Sequence, residues 1–383
     1  MKRIGIVTWF KGQNYGQLLQ AYALQTVVRD LGYTSELVNY SRHTGEGTIS
    51  AKLLSMMKRL LNRTITFSMI FKSLENQLYQ LYIKRCFDRY RIFKTFEDKY
   101  LRVGQAVTNL SQCNTLYDGF ICGSDQIWAP YAFDGYYFLS FEAEPERKTA
   151  YAPSFGFSSL PENITKQATT FISNIRNVSI REEAGAKLIE GMTGVRPEVV
   201  LDPTLLLEAE QWKKVQTKID IRKPYILCYF LGDNPTHRSI VRKIMRQTGL
   251  QAVLLPFVPR DIFQRGFDIK PDVGPSEFLY LLENAELICT DSYHGILLSI
   301  NFRKPFLVFK RFSDKDPNSQ NSRIYHILDK YELKDRLITD YHPDCLNRHI
   351  DFDKVHLLLK IERERSMAFL ERSLKGVEYR QLS

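Results

Sequence analysis

An apolar run over residues 285–289 breaks into Thr290-Asp291-Ser292-Tyr293-His294-Gly295, and a second apolar pattern with helical spacing follows through Phe302. An imidazole at the start of a helix meets an anion that also feels the helix N-terminal dipole. It can give up a proton to a bound substrate near neutral pH, which makes His294 a candidate acid. A histidine there also serves as a structural cap of the turn, and position does not choose between the two. A second such break is Gly123-Ser124-Asp125-Gln126-Ile127-Trp128, after the apolar stretch 117–122. Asp125 can accept a proton from a sugar hydroxyl and Trp128 can stack on a sugar face. The alternative is an Asp or Ser cap followed by a core tryptophan. Arg181 ends the short run 178–181 and precedes Glu182-Glu183. A guanidinium aimed into a cleft suits bidentate carboxylate or phosphate binding, whereas a surface ion pair is its commoner use. Lys310-Arg311 and Asn321-Ser322-Arg323 follow the run 305–309, where basic groups can hold a phosphate or merely face solvent.

These residues need strands that end together. Residues 4–9 read as a strand, 17–31 as a helix ending at Gly32, and 36–40 as a second strand, which opens like a Rossmann-type β-α-β unit. Gly12 and Gly16 flank the first strand-to-helix turn, but neither GxGxxG nor GxxxxGK[ST] is present. They either let a ligand approach the backbone or simply make the turn. Further strands are expected at 117–122, 178–181, 198–201, 225–230, 252–256, 285–290 and 305–309, with helices from Glu182, Thr236 and Ser276. Polar turns at the ends of parallel strands are where open α/β sheets place ligands.

The predicted domains are an N-terminal Rossmann-like domain over 1–210, a C-terminal one over 211–353, and a charged closing helix over 354–383. Residues 51–100 stand apart as a helical insertion in the first domain. They hold eleven basic residues against four acidic ones, contain no Gly or Pro, and interleave bases with aromatics such as Phe67, Tyr79 and Tyr90. Such a segment either lies on anionic lipid or packs on its own domain.

With 383 residues, 44% of them hydrophobic, the chain is long enough for two cores. Its net charge of +10 admits nucleic acid, an anionic membrane or phosphorylated substrates without choosing among them. No RNA- or DNA-binding signature appears, so nucleic acid is not an expected partner. No apolar stretch reaches the ~18 residues of a membrane span. The N-terminus reads as a buried strand rather than an export signal. Six scattered cysteines without a CxxC pair fit a reduced, cytoplasmic protein with no zinc site.

In order and spacing, several segments resemble the polysaccharide pyruvyl transferase family from Ile4 to about Leu333. They are Asn14-Tyr15-Gly16 with Ala21-Tyr22-Ala23-Leu24-Gln25, Gly123-Ser124-Asp125-Gln126-Ile127-Trp128, Ser154-Phe155-Gly156, Ser179-Ile180-Arg181-Glu182, Asp202-Pro203-Thr204, and Thr290-Asp291-Ser292-Tyr293-His294-Gly295 with Lys304-Pro305-Phe306. The resemblance implies a GT-B-like fold, two Rossmann-like domains facing a cleft. It also implies transfer of the enolpyruvyl unit of phosphoenolpyruvate onto two hydroxyls of one sugar, with release of phosphate and with no further cofactor or metal. The family's essential histidine falls on His294, its essential arginine on Arg181, and a third basic residue on Arg323, where relatives carry lysine. Many relatives read Ser-Arg-Leu-His-Gly where this chain has Asp291-Ser292-Tyr293-His294-Gly295, so donor binding is expected to rest on Arg181, Arg323, Ser292 and Lys310. Asp125 is the candidate that orients or deprotonates the acceptor, with Asn14, Gly16, Ser124 and Trp128 on the acceptor side. The acceptor is expected to be a polysaccharide precursor, lipid-linked in many cases, met at the inner membrane face through residues 51–100. The alternatives are a GT-B glycosyltransferase with a nucleotide-sugar donor and a non-catalytic polyanion binder.

Overall fold

The computed structural model describes residues 1–40, 79, 88–222, 224–314, 316 and 319–378. Among them are two sheets in which every pairing is parallel. The first runs in the order β3-β2-β1-β4-β5-β6-β7, built from β1 Arg3–Val7, β2 Thr34–Tyr40, β3 Val103–Val107, β4 Gly119–Cys122, β5 Lys148–Ala150, β6 Asn177–Ile180 and β7 Glu198–Val199. The second runs β10-β9-β8-β11-β12-β13, from β8 Tyr225–Tyr229, β9 Gln251–Leu255, β10 Phe267–Ile269, β11 Leu287–Thr290, β12 Phe306–Phe309 and β13 Leu337–Ile338. Each sheet is wound outward from a central strand in one direction and then in the other. The order reverses between β1 and β4, and again between β8 and β11, and such reversals open a crevice at the strand C-termini.

Among the strands the sequence marked most clearly, β4, β8, β11 and β12 are buried at every position. Parallel strands covered on both faces read as continuous apolar runs. The strands it did not mark are short or carry polar residues. Lys148 opens β5 and is nevertheless buried, its ammonium donating to the Glu142 carbonyl at 2.8 Å. A lysine there hides the strand from any apolar pattern.

The main helices are α1 Tyr15–Asp30, α2 Arg89–Tyr100, α3 Glu162–Ile172, α4 Glu183–Thr193, α5 Pro235–Thr248, α6 Pro275–Asn284, α7 Tyr293–Asn301, α8 Ser322–Lys330 and α9 Phe352–Glu378. Every residue of α7 is buried, as its nearly all-apolar sequence requires. Of the expected 51–100 insertion, only Tyr79 and 88–100 fall within the described residues, and 89–100 form α2.

The two halves share one apolar core that runs from Ile4 and Leu24 through Leu205 to Leu297 and Phe306. Tyr15 on α1 reaches into the second half, stacking on Phe278 with ring centroids 4.5 Å apart and donating its hydroxyl proton to the Val273 carbonyl at 2.8 Å. Asn301, at the end of α7, donates to the carbonyls of Thr204 and Leu207. Helix α9 then returns to the first half, where the Ser366 hydroxyl accepts from the Leu201 amide and Arg363 donates to the Leu205 carbonyl. These contacts hold the two strand-end crevices face to face.

Candidate active site

The loops after β1 and β4 meet those after β8, β11 and β12 around a cavity of about 370 Å³. Trp9, Asn14, Gln17, Asp125, Gln126 and Tyr131 line it from the first half. Leu231, Ser292, Tyr293, His294, Arg311, Gln320 and Arg323 line it from the second. Two buried side chains fix these loops. Gln20 donates to Thr8 and to the Trp9 carbonyl and accepts from the Ser124 amide, which ties the β1 loop to the β4 loop. Asp291 accepts from the amides of Leu231 and Gly232 at 2.7 and 2.9 Å, which ties the β8 loop to the β11 loop. Gln126 donates to Gln320 across the cleft at 3.0 Å.

His294 is the second residue of α7, and Ser292 caps that helix by accepting from the Gly295 amide. The imidazole packs against α1 at Gly16. A Cβ on residue 16 would stand 2.1 Å from His294 Nδ1, so only glycine admits the ring. On its other side, Nε2 lies 3.5 Å from Asp202 Oδ2, an ion-pair distance. Asp202 follows β7, is fully buried, and accepts from the Thr204 amide and hydroxyl at Oδ1. Burial alone would raise its carboxyl pKa. His294, Arg181 and the Thr204 amide outweigh that and hold it well below the usual carboxylate range.

Arg181 sits behind this group with its side chain fully buried. Nη1 is 2.8 Å from Asp202 Oδ2 and 3.8 Å from Asp125 Oδ1, and Nε is 3.5 Å from Glu182 Oε1. Burial opposes its charge, but Glu182, Asp202 and Asp125 together push its pKa above the ordinary arginine value. Its guanidinium lies 4.5 Å from the centre of the Tyr293 ring, and Arg323 lies 5.5 Å from that same ring. Burial, together with repulsion from Arg181 and Arg311, pushes Arg323 down to about 10, so it stays charged at neutral pH. Nε of both Arg311 and Arg323 is buried without a hydrogen-bond partner among the described residues. Buried cationic donors left unpaired are costly, and an anion in the cleft would satisfy them.

Of the candidates read from sequence, the cleft brings together His294, Asp125, Ser292, Arg323 and Asn14. Asn14 also caps α1 by accepting from the Gln17 amide. Four expectations need correction. Trp128 is fully buried, stacked on Phe138 at 4.8 Å with its indole N–H donated to the Tyr137 carbonyl, so no sugar can reach it. Ser124 is also fully buried and donates to the Ala152 carbonyl. Gly16 serves the histidine rather than a ligand. Lys310 turns away to pair with Asp314 at 2.6 Å, and its neighbour Arg311 enters the cleft instead. Arg181 lies beneath the cleft lining, with Nη1 engaged by Asp202 and with Nε and Nη2 lacking a hydrogen-bond partner among the described residues.

The sequence named Arg311 only beside Lys310 and Asp202 only as part of a family segment, and it did not single out Trp9 or Tyr131. Trp9 and the 60%-exposed Tyr131 form the aromatic wall that Trp128 does not, with ring centroids 6.4 Å apart. Trp9 stands just past the end of β1, the signal that could have found it, whereas Tyr131 lies in a 3-10 turn over Pro130–Ala132, well beyond β4. Arg311 and Lys310 are adjacent in the loop just past β12, and the loop turns one toward the cleft and the other toward Asp314. Gly232 makes room for Arg311, since a Cβ there would meet its Cγ at 2.8 Å.

Two Rossmann-type sheets with facing switch points, and a charged cleft between them, define a GT-B-like enzyme. A solved structure agrees on the fold. A protein from Listeria monocytogenes described as a UDP-N-acetylglucosamine 2-epimerase aligns with TM-score 0.50 at 10% identity, covering 98% of this chain and 97% of that one. UDP-GlcNAc 2-epimerase from Neisseria meningitidis bound to UDP-GlcNAc aligns with TM-score 0.47 at 9% identity, covering 98% and 100%. No curated protein sequence matches the chain. The model of the polysaccharide pyruvyl transferase family matches residues 14–314, and the chain belongs to that family.

Proposed function

We propose that the cleft moves the enolpyruvyl unit of phosphoenolpyruvate onto two hydroxyls of one sugar in a surface-polysaccharide precursor. The observation that carries this is the convergence of His294, Arg311 and Arg323 from one half with Asp125 from the other, in a single cavity. Phosphoenolpyruvate brings a phosphate and a carboxylate, and the unpaired guanidinium N–H groups of Arg311 and Arg323 are suited to both. The N-terminal dipole of α7 adds to their attraction.

In this scheme the His294 imidazolium protonates the methylene carbon, which leaves an oxocarbenium-like C2. A first sugar hydroxyl bonds to C2 and gives its proton to Asp125. The C2–O bond to phosphorus breaks and inorganic phosphate leaves. The second hydroxyl adds to C2 and passes its proton to the now neutral His294, which closes the cyclic ketal and restores the imidazolium, while the departing phosphate takes the proton held by Asp125. Trp9 and Tyr131 supply the aromatic wall for the sugar.

The reaction is assigned to the cytoplasmic side, where the acceptor is held on a lipid carrier. Residues 51–88, apart from Tyr79 and Asp88, lie outside the described residues, so membrane contact through the insertion rests on its basic, aromatic sequence. Among the described residues no helix is long and apolar enough to cross a membrane. Co-sedimentation with anionic vesicles, lost at high salt, tests that contact.

The central experiment is acceptor-dependent phosphate release from phosphoenolpyruvate, with a pyruvate ketal in the product by mass spectrometry. Thermal stabilisation by phosphoenolpyruvate but not by UDP- or GDP-sugars is expected. The opposite preference would favour a nucleotide-sugar glycosyltransferase.

A further inference from the structure

We propose that Asp202 is a positioning residue for the reaction: it fixes the His294 imidazole with Nε2–H toward the N-terminal half and leaves Nδ1 to exchange its proton in the cleft. This rests on His294 being the proton donor. The carboxylate is fully buried and reaches the histidine from the opposite domain, Oδ2 to Nε2 being 3.5 Å. It is immobilised from all sides. Thr204 donates its amide and hydroxyl to Oδ1 at 3.0 and 2.8 Å. Arg181 donates to Oδ2 at 2.8 Å, and the Ser124 hydroxyl lies 3.3 Å from that same oxygen. A histidine facing an acceptor-only group places a hydrogen on the facing nitrogen, so the carboxylate decides which nitrogen does chemistry. Gly16 lies against the ring on the side away from Asp202 and blocks any retreat into α1.

The same geometry changes what Arg181 does. Its side chain is fully buried and is not part of the cleft lining. It offsets the charge of three carboxylates, Asp125, Glu182 and Asp202, that would otherwise repel one another behind an anion-binding cleft. Arg181 therefore acts through Asp202 and Asp125 from beneath the cleft lining, with its Nε and Nη2 left without a hydrogen-bond partner among the described residues.

Asp202→Asn separates positioning from packing. The two Thr204 donors hold the amide oxygen at the Oδ1 place, so the amide NH2 takes the Oδ2 place, displaces the Arg181 and Ser124 donors there, and faces His294 Nε2. The ring must then accept at Nε2 and carry its hydrogen on Nδ1, the wrong tautomer for the proposed transfer. The test uses the full chain labelled with 15N-histidine. Ring correlations report which nitrogen bears hydrogen, and His294→Gln assigns the signal among the seven histidines. The expected result is hydrogen on Nε2 in the wild-type neutral ring and on Nδ1 in D202N. Together with this, kcat falls by about 10²–10⁴-fold while KM for phosphoenolpyruvate barely changes. A wild-type ring with hydrogen on Nδ1, or a folded D202N with kcat intact, overturns the proposal. If D202N does not fold, the wild-type spectrum decides alone. Wild-type protein that releases no phosphate from phosphoenolpyruvate would sink the pyruvyl-transfer reading, and the ring spectrum would still decide the part played by Asp202.

Discussion

The two halves are wound alike, yet they bring opposite charge to the cleft. The first half sends the carboxylate of Asp125 to the cleft lining, backed by the buried Arg181, and holds the buried Asp202 against His294. The second half sends His294, Arg311 and Arg323, and two of those guanidiniums carry buried, unpaired N–H groups. One topology therefore yields a face suited to hydroxyls that must lose protons and another suited to an anion that must gain one. The division arises at the strand ends. Sheets set where loops emerge, and loops set which side chains face the ligand.

Substitutions on each side should separate the two faces. The largest effect is expected from His294→Ala, which should lower kcat for acceptor-dependent phosphate release by about 10²–10⁴-fold. A change confined to KM would move the chemistry out of the second half. Asp125→Asn should also lower kcat, by about 10²-fold, with KM for phosphoenolpyruvate unchanged or lower, because it removes a negative charge near the anion. Poorer donor affinity in that variant would erase the contrast between the faces.

Trp128→Ala probes the first half's frame rather than its chemistry, and denaturant unfolding should show a loss of about 3–5 kcal/mol. Trp9→Ala should leave stability near wild type and weaken acceptor use. If the two tryptophans exchanged these effects, the aromatic wall would be misassigned. Arg323→Ala should raise KM for phosphoenolpyruvate by roughly 10–100-fold, the worth of about 1.5–3 kcal/mol for a charge-assisted hydrogen bond, and steady-state kinetics checks it. Lys310→Ala is the smallest. Its exposed pair with Asp314 is worth about 0–1 kcal/mol, so donor KM and Tm should both stay near wild type.

Much of this was legible from residues alone. Apolar runs ending in polar turns marked β1, β4, β8, β11 and β12, because strands covered on both faces allow few polar side chains. The turns after β4 and β11 pointed to Asp125 and His294 for the same reason, since an open parallel sheet offers its ligands only the strand C-termini. Strands β5 and β13 were not legible: one opens with a buried lysine and the other is two residues long.

Which neighbour of a pair faces the cleft was decided only in three dimensions. Arg311 enters and Lys310 does not, one step apart just past β12, while Trp9 after β1 is presented and Trp128 after β4 is enclosed by packing, and composition distinguishes neither case. Asp202 and His294 are ninety-two positions apart in the chain, and nothing local to either names the other. Their contact exists because α7, buried on every side, docks the second sheet against the loop after β7. Sequence determined the two sheets and the kinds of group at their edges. Tertiary packing decided which of those groups meet, because charge pairing across a domain interface depends on distances that no spacing along the chain encodes.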